Sequence, residues 1–123
     1  MANEIYYTLG LQIVNGNLLL DINDLARTCD MAGTIVARDV KAVPTTAAGT
    51  ALDLASISTQ GFAHFINLDA TNYIEIGVQV SSTFYPFVKL KAGEACLLPL
   101  GTSAPYARAN TASVNLDFVV CER

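Results

Sequence analysis

The sequence predicts an all-β chain, a single-domain antiparallel β-sandwich of jelly-roll-like form with roughly eight to ten short strands. Three observations carry this expectation. Apolar and polar residues alternate with a period of two in the first, middle and last segments, and no segment sustains the longer period of a helix. Asn, Gly, Asp, Ser and Pro cluster between those segments as turn formers. Of the 123 residues, 52% are hydrophobic and only 15% charged, which supplies a packed core and is the opposite of a disordered composition. That length fits one domain spanning residues 1–123.

The elements follow in order. Ile5, Tyr7, Leu9, Leu11 and Ile13 share one parity and Thr8, Gly10 and Gln12 the other, the pattern of a strand with one buried side. Asn15-Gly16 before the run Leu18 to Leu20 predicts a hairpin with a type I′ turn, whose two central residues both need positive φ. Between Asp21 and Met31 the pattern is ambiguous, and Asp21 is a candidate cap for a short helical turn through Asn23, Leu25 and Ala26. Thr34 to Val43 reads as a strand ended by Pro44, and Thr45 to Ala51 as an exposed loop. Thr50 to Leu54 offers a short strand, Ser56 to Gly61 a connection, and Phe62 to Leu68 a further strand before a polar turn at Asp69 to Asn72.

In Tyr73 to Val80, Ile74, Ile76, Val78 and Val80 are expected inward, with Glu75, Gly77 and Gln79 outward. Ser81 to Thr83 turn the chain into the strand Phe84 to Leu90. That strand contains Pro86, which cannot donate to a ladder and so predicts a sheet edge or a bulge. Lys91 to Glu94 turn into Ala95 to Leu98, and Pro99, Gly101 and Pro105 punctuate a loop. In the last strand Val114, Leu116, Phe118 and Val120 face one way, opposite Asn115 and Asp117.

Charge and cysteine usage narrow the function classes. Asp and Glu number 11 against 7 Lys and Arg, and among the basic residues only Lys89 and Lys91 lie close together. Nucleic-acid binding needs a concentrated positive patch, so no nucleic-acid partner is expected. Cys29, Cys96 and Cys121 are far apart and odd in number, which predicts buried free thiols in a chain made in a reducing cytoplasm. The start of the chain, with Glu4 among apolar residues, does not read as a signal peptide, and no apolar stretch approaches a bilayer span. A soluble protein with no membrane partner is therefore expected.

The residues that could carry chemistry are few. His64 is the only histidine, with no second imidazole to share a metal and no positioned partner for base catalysis, so it reads as a structural or surface residue. Asp21, Asp24 and Asp30, with Asn23 nearby, lack the spacing and central glycine of a calcium loop and read as capping or solvated residues. Glu75 and Glu94 are isolated acids. No phosphate-loop, dinucleotide, hydrolase or zinc-protease signature occurs. No catalytic residue, cofactor or metal is expected. The aromatics are more informative. Tyr6 falls on the polar face of the first strand, and Phe84-Tyr85-Pro86-Phe87 places rings on both faces. Both faces could be covered within a two-layer fold. Otherwise Tyr6, Tyr85 and Phe87 are candidate interface residues, since Tyr and Phe are favoured anchors.

The run Phe65-Ile66-Asn67-Leu68-Asp69-Ala70-Thr71-Asn72-Tyr73-Ile74-Glu75-Ile76-Gly77 resembles a segment of small structural proteins of tailed bacteriophages. So do Thr83 to Glu94, Tyr106 to Thr111 and the opening through Val14-Asn15-Gly16-Asn17-Leu18. The resemblance covers residues 61 to 123 well, the first twenty loosely, and Asp21 to Gln60 only in general style. It implies a virion component with a β-sandwich fold, made in the host cytoplasm, and brings no active-site residues. The leading expectation is a capsid cement or decoration protein that binds the major capsid protein or other virion proteins and forms a homo-oligomer on the particle. A tail or neck protein is the nearest alternative. A carbohydrate-binding sandwich module is more remote, because the chain has no tryptophan for sugar stacking. A cupin-like metal enzyme ranks last, because that chemistry wants several histidines.

Overall fold

A computed structural model of the chain describes residues 4–23, 26–54, 57–101 and 103–123. The chain divides into two compact units, Met1–Ala32 and Gly33–Arg123. The protein is all-β, and every strand pairing is antiparallel.

The first unit holds β1 (Ile5–Tyr7), β2 (Gly10–Asn15), β3 (Leu18–Asn23) and β4 (Arg27–Cys29). β1 pairs with β4, and β2 with β3 from Gly10↔Asn23 to Asn15↔Leu18. The expected long first strand is thus two strands, broken between Tyr7 and Gly10. The expected hairpin forms, but its two-residue loop is Gly16-Asn17, one position later than expected. Only Gly16, at φ +58°, has a positive φ there, so the turn is of the II′ kind and not I′. No helical turn starts at Asp21: Asp21, Ile22 and Asn23 continue the ladder of β3, where each finds a partner on β2. Leu25 lies outside the described residues.

The second unit holds β5 (Val36–Val43), β6 (Thr50–Ala51), β7 (Gln60–Asn67), β8 (Ile74–Val80), β9 (Thr83–Leu90), β10 (Ala95–Pro99), β11 (Tyr106–Ala109) and β12 (Val114–Glu122). One sheet runs β5-β12-β7-β10 and the other β6-β11-β8-β9. First pairs with last throughout this unit: β5 with β12, β6 with β11, β7 with β10, β8 with β9. A long hairpin wrapped in this way into two sheets is the jelly roll, so the expected sandwich is present. Its core combines Phe65, Val114, Leu116, Phe118 and Val120 of one sheet with Ile74, Ile76, Leu90, Ala107 and Ala109 of the other. The twelve strands among the described residues exceed the eight to ten expected because the first strand splits and because β4 and β11 are short. The inward residues of β11 are only Ala107 and Ala109, too small to mark a strand by hydrophobicity.

Two local devices set the edges of the sandwich. β9 is an edge strand, and its register against β8 slips between Ile76↔Val88 and Gly77↔Pro86, leaving Phe87 as the extra residue of a bulge. Pro86 therefore meets both expectations, an edge and a bulge. The β8–β9 loop is Ser81-Ser82, with φ of 50° and 65°, the double positive φ of a type I′ turn.

Asn67, at the end of β7, is fully buried and fully partnered. Its Nδ2 donates to the carbonyls of Asn72, Leu90 and Lys91 at 2.9, 3.0 and 3.1 Å, and its Oδ1 accepts from the Asp69 N–H at 2.8 Å. Asp69 Oδ2 in turn accepts from the N–H groups of Thr71 and Asn72, which makes the expected polar turn. Those amides, Asn72 first and then Thr71, hold the Asp69 carboxyl below its ordinary pKa.

Candidate interaction surfaces

Facing pairs in a ladder share a face, so the register assigns each side chain to a side of its sheet. On β9, Phe84 lies opposite Gln79 and points away from the core. There it is buried against Gly49 and under the Arg108 guanidinium, 4.9 Å from the ring centroid. Gln79 Nε2 and Arg108 Nη1 donate to the Ala48 and Ala47 carbonyls, which ties that loop down, and Arg108 Nη2 pairs with Glu75 at 2.9 Å. One ring of the aromatic cluster is thus covered within the fold.

The other two are not. Tyr85 faces Val78, on the core side of β8, yet is 55% exposed, as is Val80 at 57%. The β8–β9 hairpin end therefore runs past the cover of the opposite sheet, and Val80 is not inward as expected. Phe87, the bulge residue, is 64% exposed and borders a shallow open depression lined also by Glu75, Pro86, Val88 and Lys89. The Lys89 ammonium sits 4.0 Å over the Tyr73 ring. Tyr85 and Phe87 are thus both exposed on one edge strand, Tyr85 on its core side and Phe87 at its bulge. Tyr6 is exposed on β1, in the other unit.

The remaining polar candidates sit in ladders and turns. His64 is half-buried on the outward face of its sheet, between Val119 of β12 and Leu97 of β10. Asp21 faces Gln12 across the β2–β3 ladder, and Glu94 accepts from the Lys91 N–H at 2.8 Å to close its turn. Asp24 lies outside the described residues. Among the described residues no three His, Cys, Asp or Glu side chains gather where a metal could be held. The three cysteines form no disulfide and are half-buried, not fully buried as expected, and Cys121 Sγ donates to the Phe62 carbonyl at 3.7 Å. Burial raises the Cys96 thiol pKa, opposed by a hydrogen bond with the Phe65 backbone.

The β2–β3 hairpin is a surface that its sequence pattern does not announce. Its pairs Leu11/Ile22, Ile13/Leu20 and Asn15/Leu18 share one face. Gly10/Asn23, Gln12/Asp21 and Val14/Leu19 share the other. Alternation predicted that the aliphatic face would be buried. Its residues are half-exposed within the structure, Leu11 at 52%, Leu18 at 59% and Ile22 at 50%, and Val14 and Leu19 on the other face are more exposed still.

Comparison of the chain with protein-family models, with curated proteins and with solved structures finds no match.

Proposed function

We propose that this chain is a non-enzymatic structural protein of a bacteriophage particle, a capsid cement or decoration protein that binds the assembled shell and stabilises it. The observation that carries the reading is the run of exposed aliphatic side chains along the β2–β3 hairpin. Contiguous apolar patches of that kind are uncommon on proteins that work alone and mark surfaces that are covered on assembly. The jelly roll serves capsid proteins, lectins and enzymes alike, so the fold alone does not select among them. What turns the reading toward a virion is the resemblance of the segments around Phe65 to Gly77 and Thr83 to Glu94.

The physical role follows from linkage. A protein that binds the finished shell better than its precursor shifts the equilibrium toward the finished form in proportion to that difference in affinity. Tyr85 and Phe87 would supply aromatic anchors, and the open edge of β9 would supply main-chain groups, to the major capsid protein or another virion protein.

Mass spectrometry of purified particles of the phage that encodes the chain, with copy number counted against the major capsid protein, tests this. Hundreds of copies are expected. A few to a dozen copies would move the protein to the tail or neck, and absence from particles would overturn the virion reading.

A further inference from the structure

The outer strand of a sheet is a template on which another chain can add a strand. Among the described residues the two sheets of the sandwich end on β5, β10, β6 and β9. β6 is two residues long, β10 is five residues ending in Pro99, and β9 is interrupted by Pro86 and its bulge. β5 has none of these features. It runs eight residues, Val36–Val43, without proline and in continuous register with β12, and Val36 and Val40 are each 53% exposed.

The ladder shows which backbone groups of β5 face outward. Hydrogen-bonded and non-hydrogen-bonded pairs alternate along an antiparallel pair of strands. The Glu122 N–H donates to the Ile35 carbonyl at 3.4 Å, and the Leu68 N–H donates to the Asn115 carbonyl at 3.0 Å. Residue 122 thus turns its backbone toward β5, and residue 115 turns toward β7. By alternation Leu116, Phe118 and Val120 exchange hydrogen bonds with Lys41, Asp39 and Ala37. The backbone groups of Val36, Arg38, Val40 and Ala42 therefore face away from β12. At the middle of that row Asp39 Oδ1 accepts from the Val40 N–H at 2.8 Å. Asp39 shares parity with the buried Ala37 and Val43, yet it is exposed and bends back onto its own strand edge.

We propose that Asp39 prevents β5 from pairing with β5 of a second copy of this chain. Two antiparallel copies related by a two-fold axis can use all four outward amides in one register only. That register sets Val36 opposite Ala42 and Arg38 opposite Val40, and its centre is Asp39 opposite Asp39. The central pair is of the non-hydrogen-bonded kind, with Cα atoms about 4.5 Å apart, so two carboxylates would meet directly. Like charges directly opposite destabilise a ladder. Shifted registers separate the carboxylates but use fewer amides, and each still needs the Val40 N–H that Asp39 already holds. The inference concerns the sandwich alone and does not rest on the virion reading.

The test compares the purified full chain with its Asp39→Ala and Asp39→Asn variants by sedimentation across the micromolar range, followed by hydrogen exchange. Alanine removes both the charge and the acceptor, whereas asparagine removes only the charge. Asp39→Ala is expected to self-associate at least about tenfold more strongly than wild type, with Asp39→Asn between the two. On association the amides of residues 36, 38, 40 and 42 should gain protection, while those of 37, 39 and 41, already bonded to β12, should not change. An alanine variant that sediments as wild type does, or associates without that alternating protection, would overturn the proposal. Should the alanine variant lose its cooperative melt, the asparagine variant decides, since it keeps the shape and the bond to Val40. Sedimentation of that variant indistinguishable from wild type would then refute the role of the charge.

Discussion

Replacing Asn67 with leucine should be among the most damaging single changes in the sandwich. The side chain has no exposed surface and binds four backbone groups across two turns. Its two amide protons and one carbonyl oxygen make the equivalent of three hydrogen bonds, each contributing about 1 kcal/mol net. The Leu90 carbonyl, whose bond is wholly buried, is then orphaned at a further cost of about 1–2 kcal/mol. Leucine's extra apolar burial returns about 1 kcal/mol. The net loss is about 3–4 kcal/mol, which in a unit of this size lowers Tm by about 15–25 °C. Asn67→Asp separates hydrogen bonding from shape. It keeps the outline but turns a carboxylate toward three carbonyl oxygens, so burial should raise that carboxyl's folded pKa above the ordinary value near 3.9. A raised folded pKa gives stability that is present below the unfolded pKa and is lost as pH rises. The gap between Asn67→Asp and wild type should therefore widen from acid to neutral pH. Urea denaturation at several pH values measures both effects. A leucine variant within about 1 kcal/mol of wild type, or a gap for the aspartate variant that does not grow with pH, would refute the reasoning.

Other expectations follow from single sites. Asp69 has a lowered folded pKa, so the stability it contributes is present above its ordinary value of 3.8 and is lost as pH falls through the depressed one. Asp69→Asn should accordingly flatten the acid limb of the stability curve in urea melts. A Cβ at Gly77 would fall on the Tyr85 carbonyl oxygen and 2.7 Å from Pro86 Cα, backbone that can yield only by shifting β9. Gly77→Ala should cost about 3 kcal/mol, seen as a lower denaturation midpoint. Ser81 and Ser82 hold positive φ without the residues that favour it, so replacing the pair with Asn-Gly should raise stability by about 1 kcal/mol in the same assay. Tyr85→Ser and Phe87→Ser should change stability by less than about 0.5 kcal/mol, while weakening binding to purified shells at least about tenfold in a sedimentation assay.

Alternation made most of the sandwich legible. β7, β8, β9 and β12 lie close to where apolar parity places them, and Pro86 announced its edge and bulge because the missing N–H is a property of the residue alone. The failures have local causes. β11 is nearly silent because Ala107 and Ala109 fill a narrow part of the core, and the bulge at Phe87 reverses the parity that Phe84 and Tyr85 take from sequence. Asp21 looked like a cap because capping chemistry is local, whereas its place in β3 is set by pairing with Gln12. Of the candidate interface residues, Tyr85 and Phe87 are both exposed on β9, whereas Phe84 is covered, a split that depends on where Gly49 and Arg108 lie. The hairpin face was visible as a pattern but not as a surface, since alternation tells which residues want cover and not whether the chain itself supplies it.

The order of strands has a bearing on how the protein is made. β12 lies in the middle of its sheet, between β5 and β7, yet it follows both of them in the chain and is made after them. Until residues 114–122 emerge, β5 and β7 each lack their shared neighbour, and the apolar surface that β12 closes stays open. A nascent chain cut short of Val114 leaves β5 without its ladder partner and β7 with one bare edge, the kind of species that quality-control machinery captures. The sheet thus closes only after the strand farthest along the chain from β5 has been made, and β5 waits through the whole of the intervening sandwich for its partner.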